Sequence, residues 1–345
     1  MESSRARRSR RARPSRRRPL LHLALATVAV LGATASGTVY VKAQARSGAG
    51  AVSSSSPAPS ASAPASGSQD GEVSVETVAA SGTDHDGLLA SAMRSVTVPG
   101  AAAVSVAVLD LASGAGAAYG EGVFDTASIV KVDILATLLL QAQDADRGLT
   151  AAEKSYATAM IENSDNDSAS ALWRTIGKAA GLDAANERFG LTETEGGDDM
   201  LWGLTQTTAA DQLALLQQVF GDDSMLSEAS RTYLKGLMGQ IAVDQRWGVS
   251  AAADGSSWAL KNGWLPRSTT GLWDVNSIGR VTVDGHDYLV AVLSNGNATQ
   301  SAGIALVEAV AEAAVSAFTD DDGSAPVTTS ASTSASTSAT SSAAE

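Results

Sequence analysis

Between residues 129 and 140 the chain is apolar except for Lys131, Asp133 and Thr137. A helix lying on a surface is polar along one side. This one is apolar nearly all round, so the sequence predicts a helix buried inside a domain, with the remaining elements packed about it. Asp125 or Thr126 can cap its start, which puts Ser128 and Lys131 in the opening turns. Positions i and i+3 share a helix face, so the hydroxyl of Ser128 and the amine of Lys131 can meet. An amine in such a place is costly unless it is paired or loses its proton. Lys131 therefore calls for a functional explanation, or for a partner such as Asp133 or Asp165.

The chain has 345 residues, but Ala, Gly and Ser dominate both ends, leaving about 250 residues for one large or two-lobed domain. The net charge of −13 hides a split: residues 1–45 carry nine Arg and Lys42 against Glu2, net +9, which leaves −22 for the rest. An acidic body argues against nucleic acid as a partner. Without cysteine there can be no disulfide, thiolate metal site, iron–sulfur cluster or lipidated N-terminal cysteine.

Residues 1–18 are arginine-rich and 19–41 are uncharged and mostly apolar, the pattern of an export signal or signal anchor occupying residues 1–45. Residues 33–35 and 43–45 are both plausible cleavage sites. Residues 46–84 are rich in Ser, Ala, Pro and Gly and read as a disordered tether; the Ser/Thr/Ala tail of 319–345 reads the same way. The expected location is outside the cytoplasm, secreted or anchored by the N-terminal segment.

The folded domain is expected over 85–318, its first helix at 88–94. A hairpin should follow from 102–111 and 114–119. Thr150 and Glu153 form a capping box for a helix ending near 162, and after a loop at 163–167 a second helix should run to a stop at Gly181. Residues 209–220 and 227–238 are further helices. Strands return at 258–262, 271–283 and 288–294, with turns at Pro266 and at Asp284-Gly285, before a closing helix at 302–318. Strands at both ends around a helical middle predict an α+β fold: one antiparallel sheet built from both ends of the domain, flanked by helices, with an all-helical lobe.

The three histidines are His22 in the leader, His85 in the tether and His286 beside a turn, so a Ser-His-Asp triad is not available. No G-x-S-x-G elbow, H-E-x-x-H zinc helix or P-loop is present either. The Gly-rich stretch at 114–119 lacks the helix a dinucleotide site needs and reads as a turn. A nucleophile in this chain needs a base other than histidine, and no metal or cofactor is expected.

Three short stretches supply one. Ser128-Ile-Val-Lys131 is S-x-x-K, Ser164-Asp165-Asn166 is S-D-N, and Lys261-Asn262-Gly263 stands where K-T-G or K-S-G would be expected. In this order the set resembles the class A β-lactamase and penicillin-binding protein superfamily over 87–318, and in detail the serine hydrolases that actinobacteria export. The resemblance implies acyl transfer. Ser128 would attack a carbonyl, with its own N–H and that of Trp264 forming an oxyanion hole. Lys131 would take the Ser128 proton, its pKa depressed by burial and by Lys261. Ser164 would relay a proton to the leaving amine, while Asn166, Asn262, Gly263 and Trp264 would hold the substrate, a β-lactam or a peptidoglycan-type amide. The protein is expected to work as a monomer. On the other reading of the same residues, 165–167 are only a helix cap.

Departures from the family pattern bear on turnover. Asn262 replaces the hydroxyl residue that helps to bind a β-lactam carboxylate. No arginine sits on 271–277, with Arg267 and Arg280 falling on either side. The segment 190–208 should correspond to the Ω-loop but lacks E-x-x-L-N; Glu193 or Glu195 could stand in for its glutamate, or could simply be solvated. Only 36 residues separate Ser128 from Ser164, shorter than in typical β-lactamases. Tryptophans beside the motifs could form a substrate platform, though Trp247 and Trp273 could equally be core. Three functions remain open: a hydrolase, a slow penicillin-recognising or peptide-binding module, and a structural surface protein.

Overall fold

The computed structural model describes residues 83–255 and 257–319, all within the compact unit Glu76–Glu345. The expected leader, nearly all of the tether and the tail beyond Thr319 lie outside the described residues.

Strand alternation explains the layering. In β1 (Ala103–Asp110), Val104, Val106 and Val108 face one core while Ala107 faces the other. In β7 (His286–Asn297), Tyr288, Val290 and Val292 alternate in the same way with Leu289, Ala291 and Leu293. A sheet apolar on both faces must be covered on both. The five strands run in the order β2-β1-β7-β6-β5, all pairs antiparallel, with β2 at Gly116–Tyr119, β5 at Trp258–Pro266 and β6 at Trp273–Val283. The expected hairpin and the sheet closed by both ends of the domain are thus present.

Helices α1 (His85–Ala92) and α8 (Gln300–Thr319) cover one face. His85, at the junction of the expected tether and domain, opens α1, and its ring stacks on Phe318 at 4.7 Å. α8 is long and apolar enough to cross a membrane by length and composition, but it lies against the sheet as a core helix. The other face carries the helical lobe: α2 (Val130–Asp144), α3 (Ala151–Glu162), α4 (Asn166–Ile176), α5 (Lys178–Phe189), α6 (Ala209–Phe220) and α7 (Glu228–Met238). α2 is its axis, with Ile134, Leu135 and Leu138 fully buried, as its sequence requires.

Several boundaries differ from expectation. The Thr150–Glu153 capping box forms, but the next helix ends at Gly177, whose φ of 97° suits only glycine well. Gly181 lies inside α5 instead. A Cβ there would sit 1.7 Å from the Ile176 carbonyl oxygen, so its glycine serves close approach and not termination. β5 continues through Pro266, because a proline at the end of an edge strand removes no ladder bond that the sheet needs. The Asp284-Gly285 turn has both residues at positive φ, 50° and 82°, the geometry that suits a two-residue hairpin.

Candidate active site

Ser128 stands in a 3₁₀ turn, Ala127–Ile129, that leads directly into α2. No side-chain cap starts this turn, contrary to the expectation for Asp125 or Thr126. The chain is held from outside instead. Phe124–Asp125 (β3) pairs with Gln206–Thr207 (β4), and the Thr126 N–H donates to the Thr205 carbonyl at 2.9 Å. Asn276 on β6 donates to the Asp125 and Thr126 carbonyls at 2.9 and 3.0 Å. Asp125 is paired with Arg267, which also approaches Asp274 at 3.5 Å. These contacts over-determine a turn whose Ala127 has φ 49°, a conformation that costs a non-glycine residue about 1–2 kcal/mol.

Tertiary packing brings three of the motifs together. Lys131, fully buried, donates to Ser128 Oγ at 3.0 Å, Ser164 Oγ at 2.9 Å, the Ser164 carbonyl at 2.7 Å and Asn166 Oδ1 at 2.8 Å. Lys261, on β5 and also fully buried, donates to Ser164 Oγ at 3.1 Å and the Asn262 carbonyl at 2.9 Å. Ser164 therefore bridges the two amines. Its own φ of 56° is a second strained position at the site. Neither carboxylate considered as a partner for Lys131 takes that role. Asp133 accepts from Asn186, and Asp165 caps α4 through the Ser168 N–H.

Burial lowers the Lys131 pKa from 10.5 to about 7, against a smaller upward pull from Asp165. Lys261 is held well below its ordinary value, by burial first and by the Lys131 charge second. Burial thus dominates both shifts, and repulsion between the two amines adds to it. Protonating one amine makes protonating the other harder, so a neutral amine beside the Ser128 hydroxyl is accessible near pH 7.

Gly263 is required by contact. A Cβ there would lie 2.7 Å from both the Ser128 nitrogen and the Thr126 carbonyl oxygen. Only glycine lets β5, the edge strand of the sheet, touch the nucleophile turn and bring the Trp264 backbone beside it. Asn262 is placed differently from expectation. With Lys261 facing the lobe, strand alternation turns Asn262 to the other side, where it is fully buried and donates to the Gln245 and Trp247 carbonyls at 2.7 and 2.9 Å. It anchors the segment behind β5 and has no face toward a ligand.

The open space at this site is a cleft of about 340 Å³, whose lining includes Ser128, Asn166, Ser170, Trp264 and residues 200–204. Trp202 carries the largest element that sequence reasoning missed. Its ring centroid lies 5.0 Å from Lys131 Nζ, and its indole N–H donates to Ser170 Oγ at 3.1 Å. The segment is pinned by the Trp173 indole donating to the Asp199 carbonyl at 2.7 Å and by the Gly196 and Gly197 N–H groups donating to Asp183 and Thr205. Glu193 and Glu195 are exposed and absent from the cleft lining. Glu193 borders a separate hollow with Gly120 and Thr208. Of the other tryptophans, Trp247 and Trp273 pack against the sheet core, with Trp247 meeting Trp264 at 5.9 Å.

Residues 148–318 match the model of the β-lactamase enzyme family. That stretch includes Ser164 and Lys261 and begins after Ser128 and Lys131. Among curated proteins, LppW of Mycobacterium tuberculosis and of Mycobacterium bovis, named as a candidate lipoprotein, is 26% identical over 171 residues, covering 48% of this chain and 54% of the relative. The chain thus spans about half the length of the curated relatives it matches. Among solved structures, PBP-A superposes with TM-score 0.58 at 20% identity, covering 68% of this chain and 96% of that one. The TLA-1 extended-spectrum β-lactamase gives 0.59 at 15% identity, covering 68% and 98%. A β-lactamase from Xanthomonas campestris gives 0.53 at 21% identity, covering 66% and 95%. Residues 148–318 thus match a β-lactamase family model, and the described domain has the fold of the β-lactamases and PBP-A.

Proposed function

We propose that this protein is an exported serine hydrolase that forms an acyl-enzyme on Ser128, acting on β-lactams or on related peptidoglycan-type amides. The matched family model and the shared fold support a serine hydrolase. The observation that carries the finer reading is the 3.0 Å contact between Ser128 Oγ and the buried Lys131 amine, whose pKa lies near 7. In this reading neutral Lys131 removes the Ser128 proton as Oγ bonds to the carbonyl carbon. The Ser128 and Trp264 N–H groups receive the developing oxyanion, and the proton passes through Lys131 or Ser164 to the departing nitrogen as the C–N bond breaks. Asn166 lies at the cleft edge, where it can hold a substrate amide.

A second reading, a slow penicillin-recognising module, is favoured by one specific observation: among the described residues the cleft lining includes no carboxylate to activate a water, and an indole ring covers Lys131. Export rests on the arginine-rich leader and on the lipoprotein description of the mycobacterial relative.

Incubation with a fluorescent penicillin, followed by intact-mass analysis, tests both readings. A covalent adduct on the native chain that is lost in Ser128→Ala supports the acyl-enzyme. Its persistence over hours favours the slow module, and rapid loss favours the hydrolase. Failure of Ser128 to react with any activated carbonyl or phosphonyl reagent would sink both.

A further inference from the structure

A buried backbone carbonyl needs a donor, and the two carbonyls before the Ser128 turn take theirs from one side chain distant in sequence. Asn276 is fully buried on β6. Its amide nitrogen donates to the Asp125 carbonyl at 2.9 Å and to the Thr126 carbonyl at 3.0 Å, and its oxygen accepts the Ser294 N–H at 3.0 Å. The Ser294 N–H can only donate, so it fixes which end of the amide is oxygen and leaves both amide hydrogens for the turn. The local bond to the Thr126 carbonyl, from the Ile129 N–H, is longer at 3.3 Å.

The sheet prepares this contact on both neighbouring strands. Asn276 stands opposite Gly263 in the β5–β6 register, and both meet the Thr126 carbonyl. Gly263 does so by lacking a Cβ, which would lie 2.7 Å from that oxygen, and Asn276 by donating to it. The pairing of β6 with β7 changes register between Trp273 and Val275, immediately before Asn276. Irregularities of this kind re-aim side chains beside functional sites. Ser294, opposite Val275, secures the place with its hydroxyl on the Val275 carbonyl at 2.6 Å.

The consequence for Ser128 is geometric. Peptide units are planar, so the direction of the Thr126 carbonyl and the Ala127 dihedrals together set where the Ser128 N–H points and where Oγ stands. Ala127 has φ 49°, and no side chain caps the turn. Without the Asn276 amide the turn loses two donors that oppose that strain.

We infer that Asn276 is a positioning residue for the nucleophile: by holding the two carbonyls ahead of it, Asn276 keeps Ser128 Oγ within reach of Lys131 and the Ser128 N–H aimed at the reacting group. The inference rests on Ser128 being the nucleophile and extends that reading to a residue outside the three motifs. Asn276 is not among the cleft-lining residues, so it acts through the turn.

The test follows the reaction of the full chain with an alkyl p-nitrophenyl phosphonate by absorbance and intact mass. The Ser128 Oγ–phosphorus bond forms, the phosphorus–aryloxide bond breaks, p-nitrophenolate leaves and the Ser128 proton passes to the Lys131 amine. Asn276→Asp keeps the shape and the oxygen facing Ser294 but loses both donors. Asn276→Ser keeps one donor and adds no charge, so its loss reports geometry. The rate at saturating probe should fall at least about tenfold in Asn276→Asp and by a smaller factor in Asn276→Ser, with the half-saturating concentration within about threefold of native in both. Thr150→Ala, which removes the cap of α3, should lower the melting temperature and leave that rate unchanged. All rates are taken well below each melting temperature. If both Asn276 variants follow Thr150→Ala, melting lower while the saturated rate stays within about twofold of native, Asn276 is structural only and the inference is overturned. A change confined to the half-saturating concentration overturns it as well. No adduct on the native chain, or one that persists in Ser128→Ala, removes the nucleophile reading and the inference together.

Discussion

On the floor of the cleft, Ser128, Lys131, Ser164 and Lys261 are joined by contacts of 2.9 to 3.1 Å, and each can hold or move a proton. On the wall built by residues 200–204, the side chains are Met, Leu, Trp, Gly and Leu, and none can. The floor comes from elements whose positions the whole domain enforces: the start of α2, the strained residue before α4, and the edge strand β5. The wall comes from a connection held by its own bonds to α4, α5 and the Ser128 turn. Acylation needs a nucleophile, a base and an oxyanion site, and groups suited to all three stand on the floor or beside it. Deacylation needs a positioned water and a base for it, which the wall would have to supply. On the proposed acyl-enzyme reading, the difference would assign the two half-reactions to separate parts of the fold, which could then be gained or lost independently.

The sharpest way to break this contrast is to remove the floor. Ser128→Ala should abolish covalent adduct formation, a loss of at least about 10³-fold in stopped-flow or mass-detected acylation. Lys131→Ala should cost roughly 10²–10⁴-fold, the usual worth of a general base. In the native protein the acylation rate should rise with pH and level off above about 7, because only the neutral amine can accept the Ser128 proton. A flat profile from pH 5 to 9 would remove Lys131 from that role.

Gly263→Ala tests whether the floor depends on contact between β5 and the nucleophile turn. The added methyl would meet the Ser128 nitrogen at 2.7 Å. Displacing the turn by a fraction of an ångström should lower acylation by about 10²-fold while the domain still unfolds cooperatively. The wall is tested by Trp202→Glu, which puts a carboxylate where the indole now faces Lys131. Its acyl-enzyme should decay about tenfold faster or more in pulse-chase mass measurements. An unchanged lifetime would mean that something other than the missing base limits release.

The smallest effect concerns stability. Asp133, two residues beyond Lys131 on α2, points to the opposite side of the helix, and burial raises its pKa to about 7, with Asp183 and Asp211 adding to the rise. A raised carboxyl pKa means the folded state binds more protons than the unfolded one between about 4 and 7. Native stability should therefore fall as pH rises through that window. Asp133→Asn keeps the oxygen that accepts from Asn186 and removes the proton dependence. It should stabilise the protein above pH 7 by about 1–2 kcal/mol, part of the ~4 kcal/mol that such a shift represents. Urea unfolding at pH 5 and pH 8 would show it, with the variant's advantage present only at the higher pH.

Much of this architecture is local information. An apolar run with two charges reads as a buried helix, and strands apolar on both faces need a sheet covered on both. The capping box at Thr150 and the turn at Asp284-Gly285 are readable because one or two backbone dihedrals decide them. Gly181 was misleading for the same reason. A glycine that ends a helix and a glycine that lets two helices touch look identical until the Ile176 carbonyl is in place.

The S-x-x-K, S-D-N and K-x-G stretches were legible because spacing is a property of the chain; packing then brings Ser128, Lys131, Ser164 and Lys261 within hydrogen-bond reach. Three features were decided only by the tertiary structure. Asn262 faces away from the cleft because its neighbour Lys261 faces toward it. Trp202 covers Lys131 because its connection is tied down by Trp173, Asp183 and Thr205. Arg267 is lost to the cleft because two carboxylates distant in sequence, Asp125 and Asp274, close around it. The sequence by itself determined which proton-carrying groups are available; through-space packing decided which of them share a site and what charge surrounds it, because desolvation and Coulomb energies depend on neighbours in space and not on neighbours along the chain.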